Sequence, residues 1–195
     1  EIILGDDAKA FRIEKDPAYD SFKDTNFGKD ALTAIRLLQA GSKFVTLNLG
    51  GWDMHQNIVG GLERRQVELD TYLGKIMDLL EERGMYKRVM LVATSEFGRT
   101  PKLSLLADSY HAPGRDHWGA VQTLFFAGGG VQGGNVIGAS DKIAAYPADS
   151  PQKPENMAAT IYECLGIPST AAWYDEVDRP HHIYHGRSIP GLTRV

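Results

Sequence analysis

Residues 44–51 read FVTLNLGG and residues 89–93 read VMLVA, two short, mostly apolar runs on either side of a long helical pattern. Runs of this kind, containing β-branched residues and bounded by glycine, are typical of strands buried on both faces of a parallel sheet. Between them, one apolar stripe recurs at helical spacing and ends before Gly84; its members are Leu62, Leu69, Leu73, Ile76 and Leu80. Residues 44–93 therefore predict a strand–helix–strand unit with a right-handed crossover.

The flanking sequence continues this alternation of helices and strands. Helical spacing predicts helices over residues 29–40 and from Pro154 to Leu165, the second closed by Gly166. Residues 121–127 predict a third strand, and residues 131–137 a hairpin-like pair. Residues 96–120 show neither period, and a loop of that length inside a domain is usually functional. The lead-in, residues 1–27, is expected to be anchored by Ile2, Ile3, Leu4 and Phe11.

The composition is that of an ordinary globular domain, with 43% hydrophobic and 24% charged residues in a chain of 195. We predict a single domain over residues 1–195. No run approaches the roughly 18 consecutive apolar residues of a membrane span. The 25 acidic residues outnumber the 21 basic ones, for a net charge of −4, and without a basic stripe no nucleic-acid partner is expected. The one cysteine, Cys164, excludes an internal disulfide and a Cys-rich zinc module.

Polar clusters lie at the ends of the predicted strands. Because ligands bind beyond the carboxyl ends of strands in open α/β sheets, these clusters are expected to share one rim of the sheet. Carboxylates and imidazoles dominate them, and we predict five metal ligands: Asp53, His55, Glu96, Asp116 and His117. A mixed oxygen and nitrogen set suits zinc, manganese or iron better than calcium or magnesium. The predicted cofactor is a divalent metal, with zinc and manganese as the preferred ions.

Two arginines, Arg99 and Arg115, lie within a few residues of these groups. A guanidinium beside a metal site is suited to a phosphate or sulfate group, which it binds through two parallel hydrogen bonds. Simpler alternatives remain open from the residues alone. An Asp–His pair is often a surface ion pair, Glu96 and Arg99 could form a loop salt bridge, and the histidines of the tail are more typical of a solvated segment than of ligands; these are His181, His182 and His185.

Four motifs occur in an order that resembles a known family: GWDMH (51–55), EFGRTP (96–101), GRDHW (114–118), and GGG (128–130) with GASD (138–141). They resemble the sulfatase-like family catalogued as domain of unknown function 1501, within the alkaline phosphatase superfamily. The resemblance runs from roughly Ala8 to Leu192. It implies an α/β fold, an alkaline-phosphatase-like α/β/α sandwich with a mostly parallel central sheet, and a site for one or two divalent metals.

By this resemblance, Asp53 and His55 match the first ligand pair, and His117 with Asp116 matches the late histidine. Glu96 stands where many relatives carry an Asp-His pair, and Phe97 replaces the histidine of that pair. Nothing before Lys29 resembles the strand that carries the nucleophile in the superfamily. The chain is therefore expected to be only the carboxyl-terminal part of a longer domain. The nucleophile is expected in the part of that domain that precedes this chain.

The activity implied by the resemblance is metal-dependent hydrolysis of phosphate or sulfate esters, with an anionic ester as substrate. The alternative is a non-catalytic, metal-stabilised binding or interaction module with a degenerate sulfatase-like fold. The resemblance further implies an exported bacterial protein, periplasmic or at the cell surface. No residue predicts an oligomeric state.

Overall fold

The computed structural model describes residues 6–194, and the chain divides into two compact units. The first unit consists of residues 1–86 and 103–116, and the second of residues 87–102 and 117–195. The predicted anchors Ile2, Ile3 and Leu4 lie outside the described residues. Among the described helices, none combines the length and the apolar character that crossing a bilayer requires, which agrees with the sequence.

The first unit is helical. Two 3₁₀ helices, Asp6–Phe11 and Ile13–Lys15, precede the α-helices, which are α1 (Tyr19–Phe22), α2 (Asn26–Gln39) and α3 (Ile58–Glu82). The predicted helix over residues 29–40 is confirmed as α2. It begins three residues earlier because the Thr25 hydroxyl accepts a hydrogen bond from the Gly28 backbone N–H at 3.0 Å, which caps its amino terminus.

The core of the first unit forms around Tyr72 of α3, which is only 3% exposed. Its ring contacts Phe22 and Phe27, with ring centroids 6.0 and 5.9 Å apart. A Cβ at Gly28 would overlap the Tyr72 ring, so glycine is what allows α2 to lie this close to α3. Phe11 is 52% exposed, and the prediction that it anchors the lead-in was wrong.

The second unit contains the described strands, which form two-stranded antiparallel sheets. They are β1 (Met90–Ala93) with β4 (Phe125–Gly128), β2 (Gly98–Arg99) with β3 (His117–Trp118), β5 (Ala139–Ser140) with β6 (Pro147–Asp149), and β7 (Ala172–Tyr174) with β8 (Pro180–His182). The predicted hairpin at residues 131–137 does not form in the described structure, and Val131 instead forms an isolated bridge with Thr193.

Helix α4 (Pro154–Cys164) matches the predicted last helix and carries the tail of the chain. Thr160 is fully buried, and its hydroxyl accepts a hydrogen bond from the Ile189 backbone N–H at 2.9 Å. The Tyr162 and Tyr184 rings stack at 5.1 Å. The tail is thereby held against α4.

The prediction of an alkaline-phosphatase-like sandwich with a mostly parallel central sheet was wrong. Its first strand, residues 44–49, forms no ladder, and the described part of the first unit contains no strand that could pair with it. Exposed and half-buried residues alternate along it, and Phe44 is 64% exposed. The second predicted strand does form, but it pairs antiparallel with β4. The second apolar run predicted a strand correctly, whereas the pairing of strands depends on residues distant in sequence.

Candidate metal centre

Asp53 and His55 lie on the loop that leads into α3. Gly51 has a φ of 88° and Asn57 a φ of 48°, so left-handed residues bound this loop on both sides. The Met54 backbone N–H donates to the Trp52 carbonyl at 2.9 Å, which tightens the loop between them. Residues two apart on an extended segment point the same way, and here His55 Nε2 lies 2.9 Å from Asp53 Oδ1.

A second segment of the first unit, residues 103–116, is fastened to this loop by backbone hydrogen bonds. The Asn57 and Ile58 N–H groups donate to the carbonyls of Ala112 and Pro113, at 3.3 and 3.2 Å. The Arg115 N–H donates to the Met54 carbonyl at 3.1 Å. Asp116 follows Arg115 directly, so these bonds deliver its carboxylate to His55.

The approach of the two segments depends on Gly114, which is buried. A Cβ at this position would overlap the backbone carbonyl group of His55 and approach the Gln56 nitrogen. Gly114 also forms an isolated β-bridge with Ser104, in which both N–H···O bonds are 3.0 Å long. This bridge holds the backbone of Gly114 in place. Glycine is therefore required here by close packing of backbone on backbone.

The result is a cluster of Asp53, His55 and Asp116, which we call the His55 cluster. His55 Nδ1 lies 3.4 Å from Asp116 Oδ1, so each ring nitrogen faces a different carboxylate. The His55 side chain is 29% exposed, against 68% for Asp53 and 54% for Asp116. The two carboxylates therefore contact different nitrogens of the same ring.

A neutral imidazole donates a hydrogen bond from one nitrogen and carries a lone pair on the other. When two carboxylates flank a neutral ring, one of them therefore faces a nitrogen that carries no proton. A second ring proton or a cation bound at that nitrogen would satisfy this carboxylate. When histidine binds a metal, its other N–H commonly donates to a carboxylate that fixes the tautomer. In the His55 cluster, Asp116 lies beside Nδ1 and Asp53 beside Nε2.

In the second unit, His117 and Arg99 are paired residues of β3 and β2. The imidazole of His117 lies on the Phe97 ring, with ring centroids 4.4 Å apart and planes inclined by 34°. The Arg99 guanidinium carbon lies 6.0 Å from the same ring centroid. We call this group the Phe97 platform (Phe97, Arg99 and His117). Glu96, at the preceding position, is exposed, and its assignment as a ligand stays a prediction.

Trp118, the next residue of β3, is anchored within the second unit. Its indole N–H donates to the Ala145 carbonyl at 2.6 Å, and its ring meets Tyr146 edge-on at 5.4 Å. Asp141 shapes that loop, since its carboxylate accepts from the Ala145 N–H at 2.8 Å. No pattern in the sequence indicated that this loop would hold Trp118.

The histidines of the tail form a different group in the second unit. His181 stacks on Trp173 at 4.4 Å, and its Nε2 lies 3.2 Å from Asp175 Oδ2. The Arg179 backbone N–H, the His181 ring and the Arg179 side chain lower the pKa of Asp175 to about 2. His182 and His185 meet edge-on at 5.9 Å. The simpler alternative, a folded and solvated tail, describes this group best.

A family model described as "Protein of unknown function (DUF1501)" matches residues 6–193. The chain belongs to the DUF1501 family. The resemblance of the four motifs is thus confirmed at the level of the family, whereas the link from DUF1501 to sulfatases and the alkaline phosphatase superfamily stays a prediction. Neither the curated proteins nor the solved structures contain a match to this DUF1501 chain.

Proposed function

We propose that the chain binds a divalent cation, zinc or manganese, through Asp53 and His55, and that this centre serves the hydrolysis of phosphate or sulfate esters. The observation that carries the proposal is the placement of the His55 ring between two carboxylates, at 2.9 and 3.4 Å. A ring held in this way has one nitrogen for a cation and one for an orienting carboxylate.

The donor set fits zinc or manganese. Zinc takes imidazole nitrogen at about 2.0–2.1 Å and carboxylate oxygen at about 2.0–2.2 Å, usually with tetrahedral geometry. Asp53 Oδ1 and His55 Nε2, 2.9 Å apart, are close enough to share one such ion after a small outward movement. Asp53 is largely exposed, which leaves its side chain room for that movement. The sequence predicted Asp116 as a metal ligand, and we propose instead that it orients the His55 ring.

Glu96 and His117 belong to the second unit, and their roles as ligands stay predictions from the sequence. The backbone of Arg115 is bound to Met54, inside the loop that carries Asp53 and His55. Arg115 is proposed to bind the anionic group of the ester, and the same role for Arg99, in the second unit, stays a prediction from the sequence.

A cation bound here supplies Lewis-acid polarisation of a phosphoryl or sulfuryl oxygen. The residues of the chain have separate tasks around that chemistry. Asp116 keeps the proton on His55 Nδ1, so Nε2 presents its lone pair. The guanidinium group of Arg115 neutralises the substrate charge and orients the substrate through paired hydrogen bonds. The export implied by the resemblance remains part of the proposal.

Zinc and manganese titrations of the metal-free chain, followed by calorimetry, test the binding step. We expect Asp53→Asn and His55→Ala to abolish tight binding, because each removes a proposed ligand. Asp116→Asn should weaken binding by about 10–100-fold, as loss of an orienting partner does. Asp70→Asn, on an exposed position of α3, is the matched control and should bind like the unaltered chain. Equal affinity in all four variants would contradict the proposal.

A non-catalytic module is the second candidate, and one observation favours it. Backbone hydrogen bonds already tie residues 54–58 to residues 112–115, and a cation on the His55 cluster would reinforce the same junction. Turnover of aryl phosphate and aryl sulfate esters by the metal-loaded chain separates the candidates. Hydrolysis that His55→Ala removes supports the enzyme, whereas a zinc-dependent rise in unfolding temperature without hydrolysis supports the module.

A further inference from the structure

Met54 lies between the two proposed ligands of the cation, and it is buried where they are not. It is 7% exposed, whereas the side chains of Asp53 and His55 are 68% and 29% exposed. Side chains that alternate in burial along a loop point to opposite sides of its backbone. The inward direction of Met54 therefore turns Asp53 and His55 to one common side, where Asp53 Oδ1 lies 2.9 Å from His55 Nε2.

Helix α3 provides the space that Met54 fills. A Cβ at Gly61, a buried position of α3, would lie 2.7 Å from the Met54 sulfur and 3.2 Å from its Cγ. Both distances are below the roughly 3.5–4.0 Å at which nonbonded atoms pack. The thioether of Met54 thus packs against Gly61, and a larger residue at position 61 would push it away.

The backbone of Met54 holds the third member of the His55 cluster. Its carbonyl accepts a hydrogen bond from the Arg115 N–H at 3.1 Å, and Asp116 is the next residue in the chain. Its own N–H donates to the Trp52 carbonyl at 2.9 Å, which closes a tight turn at Asp53. Each member of the cluster is thus next in the chain to Met54 or to its bonding partner, and all of these residues belong to the first unit.

We propose that Met54 is a positioning residue for the metal centre: its side chain, packed against Gly61, holds the loop in the conformation in which Asp53 and His55 can share a cation. This inference rests on the proposed function, since it assigns those two residues to the cation. Without the Met54 side chain, the loop would distribute over several conformations. The apparent affinity for the cation would then fall in proportion to the fraction that stays competent to bind.

The first experiment compares Met54→Ala, which removes the packed side chain, with Met54→Leu, which keeps a side chain of similar volume. Calorimetric zinc titration of the metal-free full chain should show about a tenfold loss of affinity in Met54→Ala, as expected when about a tenth of the chains hold the competent conformation. Met54→Leu should remain within about twofold of the unaltered chain. Leu79→Ala, at a buried position of α3, is the control for damage to the core, and it should lower the unfolding temperature without changing zinc affinity.

Gly61→Ala tests the same contact without removing a core side chain. Alanine favours a helix over glycine, yet its methyl group would displace the thioether, so zinc affinity should fall about three- to tenfold while helix content is kept. Gly74→Ala, elsewhere on α3 with open space around it, is the matched control and should bind zinc like the unaltered chain. In a Met54→Ala background, Gly61→Ala should cause no further loss, because no thioether is left to displace. A loss that persists in that background would overturn the proposal, since the contact with Met54 would not be its cause.

Amide hydrogen exchange of the metal-free chain provides a readout that does not depend on zinc. Exchange of the Arg115 N–H, which donates to the Met54 carbonyl, should accelerate about tenfold in Met54→Ala and stay slow in Met54→Leu and Leu79→Ala. Equal exchange in Met54→Ala and the unaltered chain would contradict the proposal, because the loop would then keep its conformation without the side chain.

The remaining outcomes distinguish this inference from the proposed function. If the unaltered chain binds zinc and Met54→Ala binds it equally well, the inference is wrong and the metal centre stands. If the unaltered chain binds no zinc, the proposed function fails, and the role of Met54 at a metal centre fails with it.

Discussion

At the scale of single residues, Asp16 shows how a buried charge is held in the first unit. Its side chain is 3% exposed and accepts hydrogen bonds from Arg36 and Arg83, each at 2.6 Å. Burial by itself raises the pKa of this carboxyl, but hydrogen bonds from the Ala18 N–H and the two guanidinium groups outweigh it, and the pKa lies below its ordinary value. Asp16 thus joins the lead-in to α2 and to the end of α3.

Asp16→Asn should lower the free energy of unfolding at pH 7 by about 3 kcal/mol, because it leaves two partly buried guanidinium groups without their counter-charge. A lowered folded-state pKa means that this stabilisation is present above the unfolded-state pKa and is lost as pH falls through the folded-state value. Urea unfolding of both proteins should therefore show their difference narrowing below about pH 4. Asp20→Asn, whose carboxylate pairs with Lys23 at the surface, should change little. A pH-independent difference would contradict this account.

Gly114 is the residue on which the geometry of the His55 cluster depends. In Gly114→Ala the new methyl group must displace the His55 backbone, which should weaken zinc binding by about tenfold and cost about 1–3 kcal/mol of stability. Gly74→Ala is the matched control, because Gly74 lies within α3 with open space around its Cα, and alanine should stabilise the helix by about 0.5–1 kcal/mol. Unchanged zinc affinity in Gly114→Ala would show that the cluster does not need this close approach.

At the scale of elements, α4 and the tail depend on the Thr160 hydroxyl. It donates to the Asn156 carbonyl at 2.7 Å and accepts from the Ile189 N–H at 2.9 Å. Thr160→Val keeps the shape but leaves that N–H unsatisfied, which should cost about 1–3 kcal/mol. Amide hydrogen exchange at Ile189 should accelerate in Thr160→Val and stay slow in Thr160→Ser, which keeps the hydroxyl. Equal exchange in the two variants would contradict this role of the hydroxyl.

Helices and strands also differ in how well local sequence patterns predict them. The apolar stripe of α3 and the helical spacing in α2 and α4 predicted helices because their information is local. Tyr72 was missed as a core residue because the stripe was traced through aliphatic positions alone, yet it is more deeply buried than its neighbour Leu73. The strands were predicted less well than the helices. Whether residues 44–49 and 90–93 pair with each other depends on distant contacts, which a local pattern does not encode.

At the scale of the whole molecule, the candidate site was more predictable than the fold around it. The two-residue spacing of Asp53 and His55 places both side chains on one face of an extended loop, whatever sheet follows. The placement of Asp116 on the opposite ring nitrogen depends on Gly114 and on backbone bonds between segments about sixty residues apart, which no motif spacing reveals. For this reason the sequence assigned Asp116 as a ligand, whereas our proposal gives it the role of orienting His55.

Anomalous X-ray scattering at the zinc edge, on crystals of the full chain loaded with zinc, tests the central claim most directly. The account predicts a peak within about 2.0–2.2 Å of both an Asp53 carboxylate oxygen and His55 Nε2, with Asp116 on Nδ1. A zinc-loaded crystal with no peak at these atoms, or with its peak at the tail histidines His182 and His185, would contradict it.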